Sequence, residues 1–205
     1  MSAAILACGA LAAEVRAVAA RRGWALHVHP IDALLHNRPE RIAPAVRSAL
    51  HELRARYDVV GVACGDCGTY GALDAVLAEA GVERLGGDHC YDIFAREEVA
   101  AALAEAPGTY LLTDFLARTF RYTVVRELGL DRYPELRDEY FRHYRRVLWL
   151  AGRPTPATRA AAERAADILQ LPLFVRRVGT TGLERQLAEL LGQDTEEPAL
   201  TPLSG

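Results

Sequence analysis

Short apolar or β-branched runs alternate along the chain with longer stretches in which apolar residues recur every three or four positions, the pattern of parallel strands joined by crossover helices. Residues 3–8 read as a first strand, 11–22 as a helix closed by Gly23, and 24–31 as a second strand. After a loop with Asn37 and Pro39, a helix over 39–57 carries Ile42, Val46, Leu50 and Leu53 on one face, with Pro39 suited to its first turn. The most apolar run, 58–63, reads as a buried central strand and leads through Cys64-Gly65-Asp66-Cys67-Gly68 into a helix over 70–80. A fourth strand at 82–85 enters Gly86-Gly87-Asp88-His89-Cys90, a helix follows over 96–106, and a short strand stands at 109–112.

From 115 to 144 the chain turns rich in Arg, Glu and Tyr and is broken near Asp131 and Pro134, which predicts helices packed as a cap or side layer. A strand at 146–150, a helix at 156–169, a strand at 173–178 and a helix at 182–191 complete the pattern, and the polar tail over 193–205 reads as flexible. The expected fold is an α/β protein with an open, mostly parallel sheet, helices on both faces and a helical cap. Its length allows a single body over 1–192 or two lobes parting near 113–145.

Composition removes several classes. With 205 residues, a net charge of −3 and no basic run interleaved with aromatics, nucleic acid is not an expected partner. All 24 basic residues are arginine, which excludes a Schiff base to pyridoxal phosphate, an amine nucleophile and a phosphate-loop lysine, each of which needs an ε-amino group. The apolar start lacks a cationic leader region, and no apolar run approaches the roughly 20 residues that cross a bilayer, so a cytoplasmic protein with no membrane association is expected.

In that compartment four cysteines are not a disulfide framework, and their positions matter more than their number. Open parallel sheets bind ligands beyond the carboxyl ends of their strands. Cys8 ends the first strand, Cys64 and Cys67 follow the third, and His89 with Cys90 follow the fourth, so three loops carry soft donors to one edge. Thiolates and imidazole suit zinc or an iron–sulfur cluster, and Gly65, Gly68 and Gly87 allow the backbone to approach such a group closely. Two competing readings remain open: Cys8 and Cys64 as small buried apolar residues, and thiol–disulfide exchange by Cys64 and Cys67 near a helix N-terminus.

Around this core, His36 follows the second strand at the same edge and is a candidate either to contact substrate catalytically or to cap the next helix. His89 is the other catalytic candidate, as a proton carrier. Asp66, Asp88 and Asp92 flank the thiol loops and read first as caps. Tyr110, Tyr122, Tyr140 and Tyr144 read as packing residues of the middle segment.

The chain resembles the domain-of-unknown-function 1638 family of bacteria and archaea. The likeness is carried by Ala7-Cys8, Leu35-His36-Asn37 with Pro39-Glu40, Gly65-Asp66-Cys67-Gly68, Asp88-His89-Cys90, and the closing Thr181-Gly182-Leu183 with Leu190-Leu191. The resemblance carries over Cys8, Cys67, His89 and Cys90, whereas Cys64 stands where other members often have a different residue. It implies either a tetrahedral zinc site of three cysteines and a histidine, or three cysteines holding a 4Fe–4S cluster with one iron open. It further implies a setting beside corrinoid proteins, cobalamin methyltransferases and their activators, with a corrinoid protein or methyltransferase as partner. The chain would then be either an enzyme of one-carbon metabolism or an accessory protein that handles the metal or corrinoid.

Overall fold

In the computed structural model, which describes residues 2–193, the chain is an α/β protein with two open, all-parallel, three-stranded sheets surrounded by helices. The first sheet holds β1 (Ala3–Cys8), β2 (Leu26–Ile31) and β3 (Val59–Ala63) in the order β2-β1-β3. The second holds β4 (Thr109–Thr113), β5 (Arg146–Ala151) and β6 (Leu173–Arg177) in the order β4-β5-β6. Helices α1 (Ala12–Arg22), α2 (Ile42–Arg54), α3 (Ala72–Ala80) and α4 (Cys90–Glu105) belong to the first half of the chain. Helices α5 (Asp114–Phe120), α6 (Leu136–Phe141), α7 (Pro156–Leu169) and α8 (Thr181–Leu191) belong to the second.

The expected single sheet is thus divided in two. Residues 82–85 make only an isolated bridge, Val62 with Arg84, rather than a strand, and the chain then crosses through α4 to begin the second sheet at β4. The crossing lies upstream of 113–145. The tail over 194–205 falls outside the described residues, and among those described no helix is long and apolar enough to cross a membrane.

Each central strand is the most buried of its sheet, as a parallel strand covered on both faces must be: β1 from Ala4 to Cys8 and β5 from Val147 to Ala151. Ile42, Val46, Leu50 and Leu53 of α2 all face the first core, but the turn before them is a short 3₁₀ segment, Pro39–Arg41, so the regular helix starts later than its apolar spacing suggests. In the middle segment Tyr110 packs edge-on against Phe120, Phe141 and Tyr144, while Tyr122 and Tyr140 are exposed and are not packing residues. Between α5 and α6 the chain winds into a π turn over Arg121–Arg126.

The last helix returns to the first sheet. Leu183 and Leu187 of α8 are fully buried in the core that contains Ile5 and Leu6. The helix sits so close over β3 that a Cβ on Gly61 would lie 2.7 Å from Leu190 Cδ2 and 2.9 Å from Ile5 Cδ1. Gln186 of α8 accepts from the Gly86 N–H (2.8 Å) and donates to the Ile93 carbonyl (3.3 Å), beside a kink in α4 at Ala95. The final helix therefore braces the glycine loop that precedes His89 and Cys90.

Candidate metal centre at the sheet edge

Four loops meet at the carboxyl edge of the first sheet. Cys8 closes β1 with its Sγ accepting the Ala10 N–H at 3.4 Å. After β2, the Asp32 carboxylate accepts the Leu34 N–H (2.9 Å) and starts a 3₁₀ turn, Ala33–Asn37, that brings His36 back over the same edge. His36 Nδ1 lies 2.8 Å from the Ala33 carbonyl oxygen. A carbonyl only accepts, so Nδ1 carries a proton, and the neutral tautomer that this contact selects has its lone pair on Nε2. That nitrogen stands 3.1 Å from Cys67 Sγ, and Cys8 Sγ lies 3.9 and 3.8 Å from the two ring nitrogens.

The third loop is held in an unusual conformation. Cys67 has φ of 51°, a left-handed value that costs a non-glycine residue energy unless its surroundings fix it. Those surroundings are the fourth loop: the Cys67 N–H donates to the Asp88 carbonyl (2.7 Å) and the Asp66 N–H to the Gly87 carbonyl (3.1 Å). A Cβ on Gly65 would lie 3.0 to 3.1 Å from the His89 backbone and the Asp88 carbonyl, so only glycine lets the two loops approach this closely. Arg84 clamps the pair from behind, bonding Asp74 through two nitrogens (2.6 and 3.1 Å) and donating to the Leu85 and Gly87 carbonyls (3.1 and 3.0 Å). Gly68, in a left-handed turn, lies over Pro39.

The aspartates serve the loops rather than the thiols. Burial works against the Asp66 carboxylate, but hydrogen bonds from Thr69, Gly71 and Tyr70 hold its pKa below the usual range. Asp92 accepts the N–H groups of Asp88 (3.1 Å) and His89 (2.8 Å), capping α4 and fixing Cys90 as its first residue. His89 itself is exposed; its ring stacks on Tyr91 with centroids 4.9 Å apart, and its Nδ1 is 3.7 Å from Asp92 Oδ2. The histidine in contact with the thiols is His36.

All four cysteines are free thiols. Burial pushes Cys8 up to about 12, Cys90 up to about 12, Cys67 up to about 11 and Cys64 well above its ordinary value. Mutual repulsion adds to this: ionised Cys67 would raise the other three, and Cys8 would raise Cys64 and Cys90. The protein without ligand therefore holds protonated thiols at neutral pH.

Among the described residues, no three His, Cys, Asp or Glu side chains stand ready as a metal cage. Loading requires the thiols to release protons and turn to a common point. The donors fit a soft or borderline ion in kind, and His36 already has the backbone-anchored Nδ1–H that orients metal-bound imidazoles.

Beside the cluster, at the junction of the two sheets, lies a cavity of about 200 Å³. His36, Cys90 and Tyr91 line it from the first half, and Leu111, Thr113, Phe115, Leu116 and Thr123 from β4, α5 and the π turn. The contribution of the second sheet is absent from the sequence reading. The only signal for it is that Thr113 ends a parallel strand, the position at which such folds place ligand-facing residues.

Fold and site together define a parallel α/β protein with a cysteine–histidine cluster at the carboxyl edge of its N-terminal sheet. Over residues 30–187 the chain matches the model of DUF1638, described as a protein of unknown function, and it belongs to that family. The matched stretch includes His36, Cys64, Cys67, His89 and Cys90 and begins after Cys8. No curated protein and no solved structure matches the chain.

Proposed function

We propose that this chain carries a soft-metal centre, either zinc or a 4Fe–4S cluster, on Cys8, Cys67 and Cys90, and serves corrinoid-dependent one-carbon metabolism in the cytoplasm. The observation that carries the metal reading is the contact between His36 Nε2 and Cys67 Sγ at 3.1 Å, made by a ring whose other nitrogen is already tied to a carbonyl. We assign His36 to the centre as the fourth ligand to zinc or, with a cluster, as the acceptor of the Cys67 proton. Cys64, deeper behind the loop, is the least needed thiol. We assign to His89, exposed at the start of α4 and 3.7 Å from Asp92 Oδ2, the role of passing protons to solvent.

A zinc centre would supply Lewis acidity and an activated thiolate; a cluster would supply an open iron or an electron. The backbone at Gly65, Gly68 and Gly87 sets how closely the loops approach that group. The corrinoid setting rests on the family resemblance, which makes a corrinoid protein or methyltransferase the partner. Thiol–disulfide exchange by Cys64 and Cys67 is less favoured, because attack needs a thiolate and burial raises both pKa values.

The test is metal and acid-labile sulfide content, with an absorption spectrum, on protein purified without oxygen. The wild type is compared with Cys67→Ser, Cys90→Ser, His36→Ala and His89→Ala. The expected outcome is one centre per chain, lost in the two cysteine variants, bound about 10- to 100-fold more weakly in His36→Ala and retained in His89→Ala. Absence of metal after reconstitution with zinc or with iron and sulfide would overturn the proposal. A loss of two hydrogens linking Cys64 to Cys67 would establish the redox reading in its place.

A further inference from the structure

The cavity between the sheets has walls that restrict what can enter it. Leu111, Phe115 and Leu116 form its apolar side, and among the described residues no Asp, Glu or Arg lines it. An ion entering would lose hydration without meeting a countercharge, which is strongly unfavourable. Its polar groups are His36, Asn37 and Tyr91 on one side and Thr113 and Thr123 on the other, none of them a carboxylate or a guanidinium. Thr123 donates its hydroxyl proton to the Thr119 carbonyl (3.2 Å) and lies 3.5 Å from the Thr119 hydroxyl, so its oxygen, with two lone pairs, can still accept from a ligand. It is aimed there by the π turn, an irregularity that recurs at functional sites because it re-aims side chains without ending the helix.

We infer that this cavity binds a small uncharged organic molecule with a compact apolar body and one hydrogen-bonding group, presented to His36 and Cys90. The 200 Å³ of space limits it to on the order of seven non-hydrogen atoms. That this molecule is the substrate side of the metal centre rests on the function proposed above; its binding in the cavity does not.

The test uses three probes of similar size: 2-methylpropanamide, 2-methylpropanoate and tetramethylammonium. Each is titrated into metal-free and zinc-reconstituted full-length protein and followed by amide chemical shifts. The neutral amide is expected to shift residues 33–37, 90–91 and 113–116, with a dissociation constant on the order of millimolar. Both ions should bind about tenfold more weakly or not at all. Leu111→Trp, which fills the cavity, should abolish the shifts, and Thr123→Val, which keeps the shape, should weaken binding about three- to tenfold.

Equal or tighter binding of either ion, shifts confined elsewhere, or shifts that persist unchanged in both variants would overturn the inference. Zinc retained without any probe response overturns this inference alone. The neutral probe binding as expected to a protein that takes up no metal supports it and removes only the metal reading.

Discussion

At Cys8, Cys67 and Cys90 the strongest influence on each thiol is the apolar surrounding that disfavours its charged form, and this couples the cluster to folding. In the unfolded chain these thiols ionise near 9, whereas in the native metal-free protein they hold their protons to about 11 or 12. Below pH 9 both states are protonated and stability does not change. As pH rises past 9 the unfolded state loses protons first, so native stability falls at up to about 1.4 kcal/mol per pH unit for each such thiol. Denaturant midpoints of the chelator-treated protein should fall steeply between pH 9 and 10, and the Cys8→Ala and Cys90→Ala variants should flatten that slope.

A midpoint independent of pH in this range would mean the thiols are not buried as described. The sequence made the thiols legible, because they stand at strand ends, but not the partner of Cys67. His36 and His89 look equivalent by position, and only the 3₁₀ turn after β2 and the stacking on Tyr91 distinguish the one facing the sulfurs from the one facing solvent.

Individual elements were readable where composition punctuates them. β1 and α7 begin and end where the sequence reading puts them, the first because a buried parallel strand is a continuous apolar run, the second because Pro156 opens it behind the Thr155 cap. Residues 82–85 carry Glu83 and Arg84 between their two apolar residues; they lie along the open edge of β3 but bond it only around Val62, which donates to the Glu83 carbonyl and accepts from the Leu85 N–H, so they form one bridge and not a strand. At this scale the close contact at Gly65 is testable. Gly65→Ala places a methyl about 3.0 Å from the His89 backbone and must push the two thiol loops apart. We expect a loss of about 1–3 kcal/mol in chemical denaturation, with faster hydrogen exchange at the Asp66 and Cys67 amides. Asp92→Ala should remove the α4 cap at a cost of about 1 kcal/mol and raise exchange at the His89 amide, leaving β5 unaffected. Unchanged exchange at these amides would show that the loops are held by something else.

For the molecule as a whole, periodicity identified parallel strands and crossover helices but did not say which strands are neighbours. Pairing is decided by packing between segments far apart in sequence, and the division into β2-β1-β3 and β4-β5-β6 leaves no local mark. The same holds for the return of α8, whose Leu187 is fully buried among residues contributed by β1. Leu187→Ala should destabilise the protein by about 2–5 kcal/mol and should loosen β1 and β3 before β5 in native-state exchange. Equal loosening of both sheets would mean they open as one cooperative unit.

The return of α8 also dictates an order of assembly on the ribosome. β1 to β3 are synthesised first, yet the face of β3 at Gly61 and the brace on Gly86 come from residues 181–191, which are made only after the whole second sheet. Nascent chains ordinarily complete their N-terminal units first; here that face of the N-terminal sheet stays uncovered and the cysteine loops stay unbraced until α8 has been made. A product that stops short of α8 therefore presents its thiols on loops that nothing yet shields or braces.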